Sequence, residues 1–338
     1  MTPSGDLTIP TSPFAAYVVS RRGGKLTQQV TTLELSDLPD GDTVVRVDWS
    51  AVNYKDGMVA TPGNRVARAD VLVPGVDAAG TVVESAAMAP GTPVVVHGYD
   101  LGVGRHGAFA RYLRVPHAWV VPLPSGLSTR HAALIGTAGF TAALSARRLA
   151  QGGVAPGDGP VLVTGASGGV GSMAVALLAR RGYSVVASTG KADEHDYLRS
   201  LGAASVVGRD LLERPERVLG PERWYGAVDC VGGNVLAAVL RSMRYGGVVA
   251  ASGLTGGSEL STTVYPFIVR AVSLIGIDTV QTPIDERVAV WSDLATAFDV
   301  ETLDAMVAKE VGLDELSEAL ATIIAGGVRG RILVQPGR

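Results

Sequence analysis

Cysteine is almost missing from this sequence, since Cys230 is the only one among 338 residues. An intramolecular disulfide cannot form, and a cysteine-rich zinc site is excluded as well. Histidine is also sparse, and no histidine stands at metal-ligand spacing from Cys230. The five histidines are His97, His106, His117, His131 and His195. The sequence therefore predicts chemistry without a metal in a reducing compartment, which we expect to be the cytoplasm.

Charge and long apolar runs are also in short supply. Charged residues make up 18% of the chain and the net charge is −3, so the basic surface of a nucleic-acid-binding protein is missing. No apolar run reaches the length of about 18 residues that a membrane-spanning helix needs. The N-terminal stretch "MTPSGDLTIPTSPFAAY" has no basic region followed by an apolar core, so we expect no signal peptide.

Glycine, in contrast, is abundant, with 43 residues that cluster after short apolar runs. Up to about residue 123 these runs are separated by Gly, Pro and Asp, which predicts a β-rich domain. From about residue 130, apolar strands alternate with helices of about ten residues, which predicts an α/β domain with a Rossmann-type, doubly wound parallel sheet. The length suggests two domains. We predict residues 1–127 and 303–338 as the β-rich domain and 128–302 as the nucleotide-binding domain.

The segment "VLVTGASGGVGSMAVALLARRG" carries the strongest motif. It predicts a strand over Val161–Val163, a turn over Gly165–Gly171 and a helix over Ser172–Arg181 that is capped by Gly182. Glycines in such a turn let the backbone approach a pyrophosphate, and the N–H groups at the helix start attract an anion. A tight structural turn without a ligand is the alternative, and the alternating pattern on both sides argues against it.

The strand end "VVASTGK" indicates which dinucleotide is bound. In an NAD site a carboxylate follows the glycines by about 20 residues and bonds the adenosine ribose hydroxyls. Here that position is Ser188, and Thr189, Gly190 and Lys191 follow. Hydroxyls, a backbone N–H and a cation suit a 2′-phosphate, and Arg209 after the next strand offers a second cation. The sequence therefore favours NADPH over NADH, although Lys191 could instead point into solvent.

Several stretches together resemble one known family. They are "AVNYKDGMVATPGN", "PGVDAAGTV", "LIGTAGFTAAL", "VTGASGGVGSMAVALLARRGYSVVASTGK", "YLRSLGA" and "PFIVRAVSLIGID". The chain resembles the zinc-independent, quinone oxidoreductase-like branch of the medium-chain dehydrogenase/reductase superfamily, and more narrowly its acrylyl-CoA reductase group. The resemblance runs from about Tyr17 to Val334. It implies a GroES-like catalytic domain beside the Rossmann domain and an NADPH-dependent reduction of acryloyl-CoA to propionyl-CoA.

The resemblance also implies site residues. Tyr54 is the predicted catalytic residue; it either orients the substrate or donates a proton, and packing against the nicotinamide alone is an equal alternative. The predicted cofactor-binding residues are Tyr54, Ala166, Ser167, Gly168, Gly169, Val170, Ser188, Thr189, Gly190, Lys191, Arg209, Leu254, Ile268 and Thr279. No metal ligand is predicted, and Asp77, where zinc-dependent members have a ligand glutamate, is predicted to form structural hydrogen bonds.

The expected partner is a small enoyl or quinone substrate, for which a CoA thioester is one candidate, and neither nucleic acid nor a membrane. The phosphates of CoA need cations, for which Arg65, Arg68, Arg105 and Arg111 are candidates, although the sequence favours a solvated surface position for each of them over a contact with CoA. A quinone or alkenal reductase, and a non-catalytic NADPH-binding sensor, remain alternative functions. We also expect a homodimer through the apolar strand in "SLIGIDTV".

Overall fold

The structure is a computed structural model that describes residues 8–213 and 218–338. Residues 1–7, where the stretch examined for a signal peptide begins, lie outside the described residues. The chain divides into two compact units. The first unit comprises Met1–Thr137, Val280–Thr296 and Val307–Arg338, and the second comprises Ala138–Thr279 and Ala297–Met306. The domain bounds that we derived from the sequence stay a prediction.

Strands dominate the first part of the chain. In order, the elements are β1 (Phe14–Ser20), β2 (Thr27–Leu33), β3 (Thr43–Ala51), α1 (Tyr54–Val59), β4 (Val71–Leu72), β5 (Asp77–Ser85), β6 (Pro93–His97), β7 (Tyr112–Val115), β8 (Val120–Pro122) and α2 (Thr129–Gln151). Helices and strands then alternate. These elements are β9 (Val161–Thr164), α3 (Gly169–Arg180), β10 (Val185–Ser188), α4 (His195–Ser200), β11 (Ser205–Val207), α5 (Asp210–Glu213), β12 (Trp224–Asp229), α6 (Gly233–Arg241), β13 (Met243–Ala251), α7 (Tyr265–Arg270) and β14 (Ser273–Gly276).

The C-terminal part returns to the first unit. Its elements are α8 (Ile284–Leu294), α9 (Val300–Ala305), β15 (Val307–Val311), α10 (Leu316–Ile324) and β16 (Arg331–Val334), of which α9 belongs to the second unit. β16 pairs antiparallel with β3 and parallel with β15, so the last stretch of the chain completes a sheet of the first unit.

The first unit is built from two sheets, as a β-rich sequence pattern predicts. One sheet has the order β2-β1-β4, and the other has the order β15-β16-β3-β5-β6-β8 with β7 also paired to β3. Most residues of β3 and β5 are buried, and Val45 of β3 and Val82 of β5 pack with Val94 of β6 in one apolar core.

The second unit contains the predicted Rossmann-type sheet. Six parallel strands have the order β11-β10-β9-β12-β13-β14. All four residues of β9 are fully buried, as expected for a central parallel strand covered on both faces. The strand order reverses between β9 and β12, and ligands of such sheets bind beside the carboxyl ends of the strands at this reversal. The predicted fold class is thus confirmed.

Helix α3 packs against this sheet. It ends at Arg180, one residue before the predicted end, and Gly182 caps it as the sequence predicted. Gly182 has a φ of 83°, and its N–H donates to the Ala179 carbonyl at 2.9 Å. The Tyr183 N–H donates to the Leu178 carbonyl at 3.1 Å. These two bonds form a Schellman cap, in which glycine is favoured because φ is positive.

Candidate functional site

The glycine turn after β9 is shorter than the sequence predicted. Gly165 has a φ of 58°, which favours glycine, and its carbonyl accepts the Gly168 N–H at 3.0 Å. The Ser172 N–H donates to the Gly168 carbonyl at 2.8 Å, so Gly168 is the N-cap and α3 begins at Gly169. The predicted turn over Gly165–Gly171 and helix start at Ser172 are wrong, because intrahelical bonding already includes the last three residues assigned to the turn.

The first turn of α3 can hold an anion. A glycine N-cap has no side chain that could occupy the N–H groups of Gly169, Val170 and Gly171, and these groups have no acceptor within the helix. Gly171 lies so close to the end of β9 that an added Cβ would be 2.6 Å from the Ala166 Cα. Glycine is required there by this close approach, which fixes the helix start against the turn.

The strand end 188–191 adjoins the glycine turn. The Ala166 N–H donates to the Ser188 carbonyl at 3.0 Å, and the hydroxyls of Ser167 and Thr189 are 3.1 Å apart. Ser188 and Thr189 are only 2% and 4% exposed, whereas Gly190 is exposed. The predicted phosphate segment is therefore a buried pair of hydroxyl residues followed by an open loop.

Two cationic residues belong to this loop region. Arg209 follows β11 and is exposed, and its guanidinium lies against Gly190, since an added Cβ there would be 2.6 Å from the Arg209 Nε. Lys191 is half-buried and comes directly after Gly190. No carboxylate occupies positions 188–191, so these four residues add no negative charge that would repel a phosphate.

The remaining predicted cofactor residues of the second unit lie farther along the chain. Leu254 is exposed in the loop after β13, at the same edge of the sheet as the glycine turn because the strands are parallel. Ile268 is 71% exposed on α7, and Thr279 is half-buried after β14. The assignment of these residues to the cofactor stays a prediction.

A buried carboxylate that our sequence analysis missed ties together the loops at this edge. The Thr164 hydroxyl and the Gly232 N–H both donate to the Asp229 side chain at 2.7 Å. The Ser252 N–H donates to the backbone carbonyl of Asp229 at 3.0 Å. Burial raises the pKa of Asp229, and the bonds from Thr164 and Gly232 oppose that rise. An acid at the end of an apolar strand, in "GAVDC", was the signal that could have identified it.

Tyr54 opens α1 in the first unit and is half-buried. A helix of six residues is too short to be stable by itself, so tertiary contacts must hold it. The Gln28 side chain donates to the Ala60 carbonyl at 2.8 Å, which caps the end of the helix. An added Cβ on Gly57 would be 2.6 Å from the Ile324 Cγ1, so α10 packs directly against the helix. Tyr54 therefore stands on a rigid support.

Asp56 holds the start of the same helix. One of its oxygens accepts the Asn53 N–H at 2.8 Å, and the other accepts the N–H groups of Gly75 and Val76 at 2.9 and 3.1 Å. The side chain is fully buried, and this burial raises its pKa to about 7 despite the bond from Asn53; the charge of Asp77 adds to the rise. Asp56 thus joins the helix start to a second loop.

Asp77 and Arg331 form a buried ion pair with 3.0 Å between Oδ2 and Nη2. The Asn53 side chain bridges them, because its Nδ2 donates to Asp77 at 2.8 Å and its Oδ1 accepts from Arg331 at 3.0 Å. The Thr137 N–H and hydroxyl donate to the other Asp77 oxygen at 2.8 and 2.6 Å. Asp77 has the hydrogen-bonding role that the sequence predicted, whereas our sequence analysis missed Arg331.

Helix α2 is broken where it meets this ion pair. Gly136 has φ 44° and ψ −152°, and an added Cβ would be 2.8 Å from the Asp77 Cγ. The break turns the Thr137 N–H toward Asp77 instead of into the helix. The glycine is required both by its backbone conformation and by the contact.

Neither a metal centre nor a membrane span was found in the part of the chain that the structure describes. Within residues 8–213 and 218–338, no three side chains of His, Cys, Asp or Glu lie together as a metal ion would require. No helix in these two ranges is long and apolar enough to cross a bilayer. Burial raises the pKa of the Cys230 thiol, so it is not a reactive thiolate.

Comparisons with known proteins identify both parts of the chain. Residues 39–125 match the alcohol dehydrogenase GroES-like domain, and residues 169–296 match the zinc-binding dehydrogenase family. The acrylyl-CoA reductase AcuI of Ruegeria pomeroyi is 46% identical over 95% of this chain and 98% of its own length. The putative quinone oxidoreductase YhfP of Bacillus subtilis is 46% identical over the same shares of the two chains.

Solved structures agree with this likeness. The crystal structure of Escherichia coli K-12 YhdH with bound NADPH has a TM-score of 0.92 and 44% identity, covering 95% of this chain and 99% of that one. The crystal structure of the Bacillus subtilis YhfP protein, with NAD bound, also has a TM-score of 0.92, at 45% identity and covering 96% and 100% of the two chains. One of these two related structures thus contains NADPH and the other contains NAD.

The raised pKa of Asp56 predicts a pH dependence of stability. The unfolded chain loses this proton near the ordinary pKa of 3.8, whereas the folded chain keeps it up to about pH 7. Between these two values the unfolded chain gains free energy by releasing the proton while the folded chain retains it, so this group lowers the free energy of unfolding by up to about 1.4 kcal/mol per pH unit as the pH rises through that window. Urea denaturation at several pH values within and above the window measures the effect.

The Asp56→Asn variant is the matched comparison, because it keeps the side-chain shape and lacks the titrating group. The wild-type free energy of unfolding, minus that of the variant, should fall as the pH rises and should level off above about pH 7. If the free energies of unfolding of the two proteins changed in parallel with pH, the raised pKa of Asp56 would be contradicted.

Proposed function

Since the chain belongs to the quinone oxidoreductase-like, acrylyl-CoA reductase group of the medium-chain dehydrogenases/reductases, we propose that it is an NADPH-dependent reductase of α,β-unsaturated carbonyl compounds. Acryloyl-CoA, reduced to propionyl-CoA, is the substrate that fits best. The observation that carries the proposal is the end of β10, where hydroxyls and cations stand in place of the carboxylate of an NAD site.

The second unit supplies the cofactor site. The first-turn N–H groups of α3 receive the pyrophosphate, as the dipole and unpaired donors of a helix start favour. Lys191 and Arg209 receive the 2′-phosphate, with Arg209 held against Gly190. When bound, the cofactor supplies a hydride to the β-carbon of the substrate.

Tyr54 is the candidate catalytic residue of the first unit. Reduction at the β-carbon leaves negative charge on the carbonyl oxygen, and the α-carbon must then receive a proton. A phenol on a rigid helix can donate a hydrogen bond or a proton with little reorganisation. Asp56, and the Asp77–Arg331 pair acting through Asn53, hold that helix in place.

The CoA thioester is the finer part of the proposal. Of the candidate arginines, Arg68 is ion-paired with Asp100, and Arg105 donates to the Asp40 carbonyl. Arg65 and Arg111 are exposed. We assign the phosphates of CoA to Arg65 and Arg111, because Arg68 and Arg105 already have partners in the protein.

A homodimer in the cytoplasm is the proposed assembly and location. β14 is the last strand of the parallel sheet, and its outer edge offers unpaired backbone groups to a second copy. The preceding helix, α7, exposes Tyr265, Ile268 and Val269. The cytoplasm is proposed because a chain with a single cysteine, which forms no disulfide, suits a reducing compartment.

Activity is tested by measuring NADPH oxidation with acryloyl-CoA, a simple quinone and a short alkenal. The highest kcat/KM should belong to acryloyl-CoA. A higher value for the quinone or the alkenal would favour the second candidate, a quinone or alkenal reductase, which the likeness to YhfP supports. NADPH binding without turnover of any of them would favour a sensor instead.

Cofactor preference depends on Lys191 and Arg209. Lys191→Ala and Arg209→Ala should each weaken NADPH binding about tenfold, because a hydrogen bond to a charged group is lost. NADH binding should stay nearly the same, since NADH lacks the 2′-phosphate. Titration of each variant with both dinucleotides measures the two dissociation constants.

Arg181→Ala serves as the control for these variants. Arg181 is exposed at the opposite end of α3 from the glycine turn, so its loss should leave both affinities unchanged. Equal weakening of NADPH and NADH by Lys191→Ala would show that the lysine does not meet the 2′-phosphate.

Tyr54→Phe removes only the hydroxyl at the candidate catalytic position. If the phenol donates the proton, kcat should fall by a factor of about 10² to 10⁴ while NADPH affinity is retained. An unchanged kcat at saturating substrate would leave Tyr54 with a packing role alone.

A further inference from the structure

We propose that the hydroxyls of Ser167 and Thr189 form a latch that makes Ser167, a residue of the glycine turn, a positioning residue for recognition of the 2′-phosphate. The inference rests on the proposed function, in that it assumes a bound NADPH. It differs from the direct contacts that the resemblance implies, because Ser167 acts here through Thr189 and not through its own contact with the cofactor.

The latch joins two neighbouring strand ends. Ser167 follows β9 and Thr189 follows β10, and their hydroxyl oxygens are 3.1 Å apart. Both residues are buried, so the pair is shielded from competing water. Main-chain bonds hold each side, since the Ala166 N–H donates to the Ser188 carbonyl and the Thr189 N–H donates to the Val207 carbonyl at 3.1 Å.

The Thr189 hydroxyl also fixes the residue that carries the cation. Its oxygen accepts the Lys191 N–H at 3.2 Å, so its own proton can be donated to the Ser167 oxygen. The resulting chain of hydrogen bonds runs from the Lys191 backbone through Thr189 to the glycine turn. The backbone of the phosphate loop is thereby set by a residue on the other strand.

The position of Gly190 transmits this constraint to Arg209. The Arg209 guanidinium lies against Gly190, since an added Cβ there would be 2.6 Å from the Arg209 Nε. A shift of the loop backbone would therefore move Lys191 and displace Arg209 together. Lys191 is thus tied to the hydroxyl pair by a hydrogen bond, and Arg209 adjoins the same loop by contact.

Two modes of action for Ser167 give different predictions. If Ser167 only met the pyrophosphate, its removal would weaken NADH and NADPH equally, since both contain that group. If it acts through Thr189, its removal weakens NADPH more than NADH. The ratio of the two dissociation constants therefore separates a positioning role from a direct contact with the pyrophosphate.

The experiment is a double-mutant cycle in the full chain with NADPH and NADH as the ligands. The variants are Ser167→Ala, Thr189→Val, the double variant and Thr189→Ser, which keeps the hydroxyl. Each single variant should lower the preference for NADPH over NADH by about three- to tenfold, the usual effect of one lost hydrogen bond. The double variant should prefer NADPH over NADH no less than the more impaired of the two single variants does. Thr189→Ser should keep the wild-type preference.

Three results would overturn the inference. One is an unchanged preference in Ser167→Ala, the second is losses that multiply in the double variant, and the third is a Thr189→Ser variant as impaired as Thr189→Val. If Thr189→Val fails to fold, Ser167→Ala and Thr189→Ser alone still decide the matter. A wild-type protein that does not prefer NADPH would instead contradict the proposed cofactor, which makes the two failures distinguishable.

Discussion

The close approach of Gly171 to Ala166 is the constraint on which the arrangement of the candidate cofactor site in the second unit depends. It brings the first turn of α3 onto the end of β9, and any side chain at Gly171 would push the two apart. The N–H groups of the helix start, the hydroxyl of Ser167 and the end of β10 then meet at one edge of the sheet. Parallel strands make this possible, because all their carboxyl ends point the same way.

In the first unit, a buried ion pair between Asp77 and Arg331 fixes the candidate catalytic helix in a comparable way. A carboxylate and a guanidinium taken out of water each lose roughly several kcal/mol of solvation, and this cost is offset only when every donor and acceptor finds a partner. Asp77 and Arg331 meet that condition through Asn53, Thr137 and nearby carbonyls. Asn53, the residue before Tyr54, is hydrogen-bonded at its backbone N–H and at both the nitrogen and the oxygen of its side-chain amide. These bonds hold the short helix α1 in one orientation.

Local patterns were enough to predict much of this. The β-branched runs and their glycines indicated the parallel sheet, whereas the use of the acid-free segment after β10 for a 2′-phosphate stays a prediction. The helix start at Ser172 was wrong because glycines look like a turn, while hydrogen bonding had already begun at Gly169. Asp229 and Arg331 were missed because their partners, Thr164 and Asp77, are 65 and 254 residues away in sequence.

The sequence by itself determined the fold class, the family and where the glycine turn begins, since these follow from spacing within short segments. Only the tertiary structure decided that Thr189 is buried against Ser167, that Arg209 lies on Gly190, and that Asp56 and Asp77 converge on Asn53. The physical reason is that hydrogen bonds and desolvation depend on distance in space. A sequence pattern specifies the groups that need partners, and packing alone selects which partners they meet.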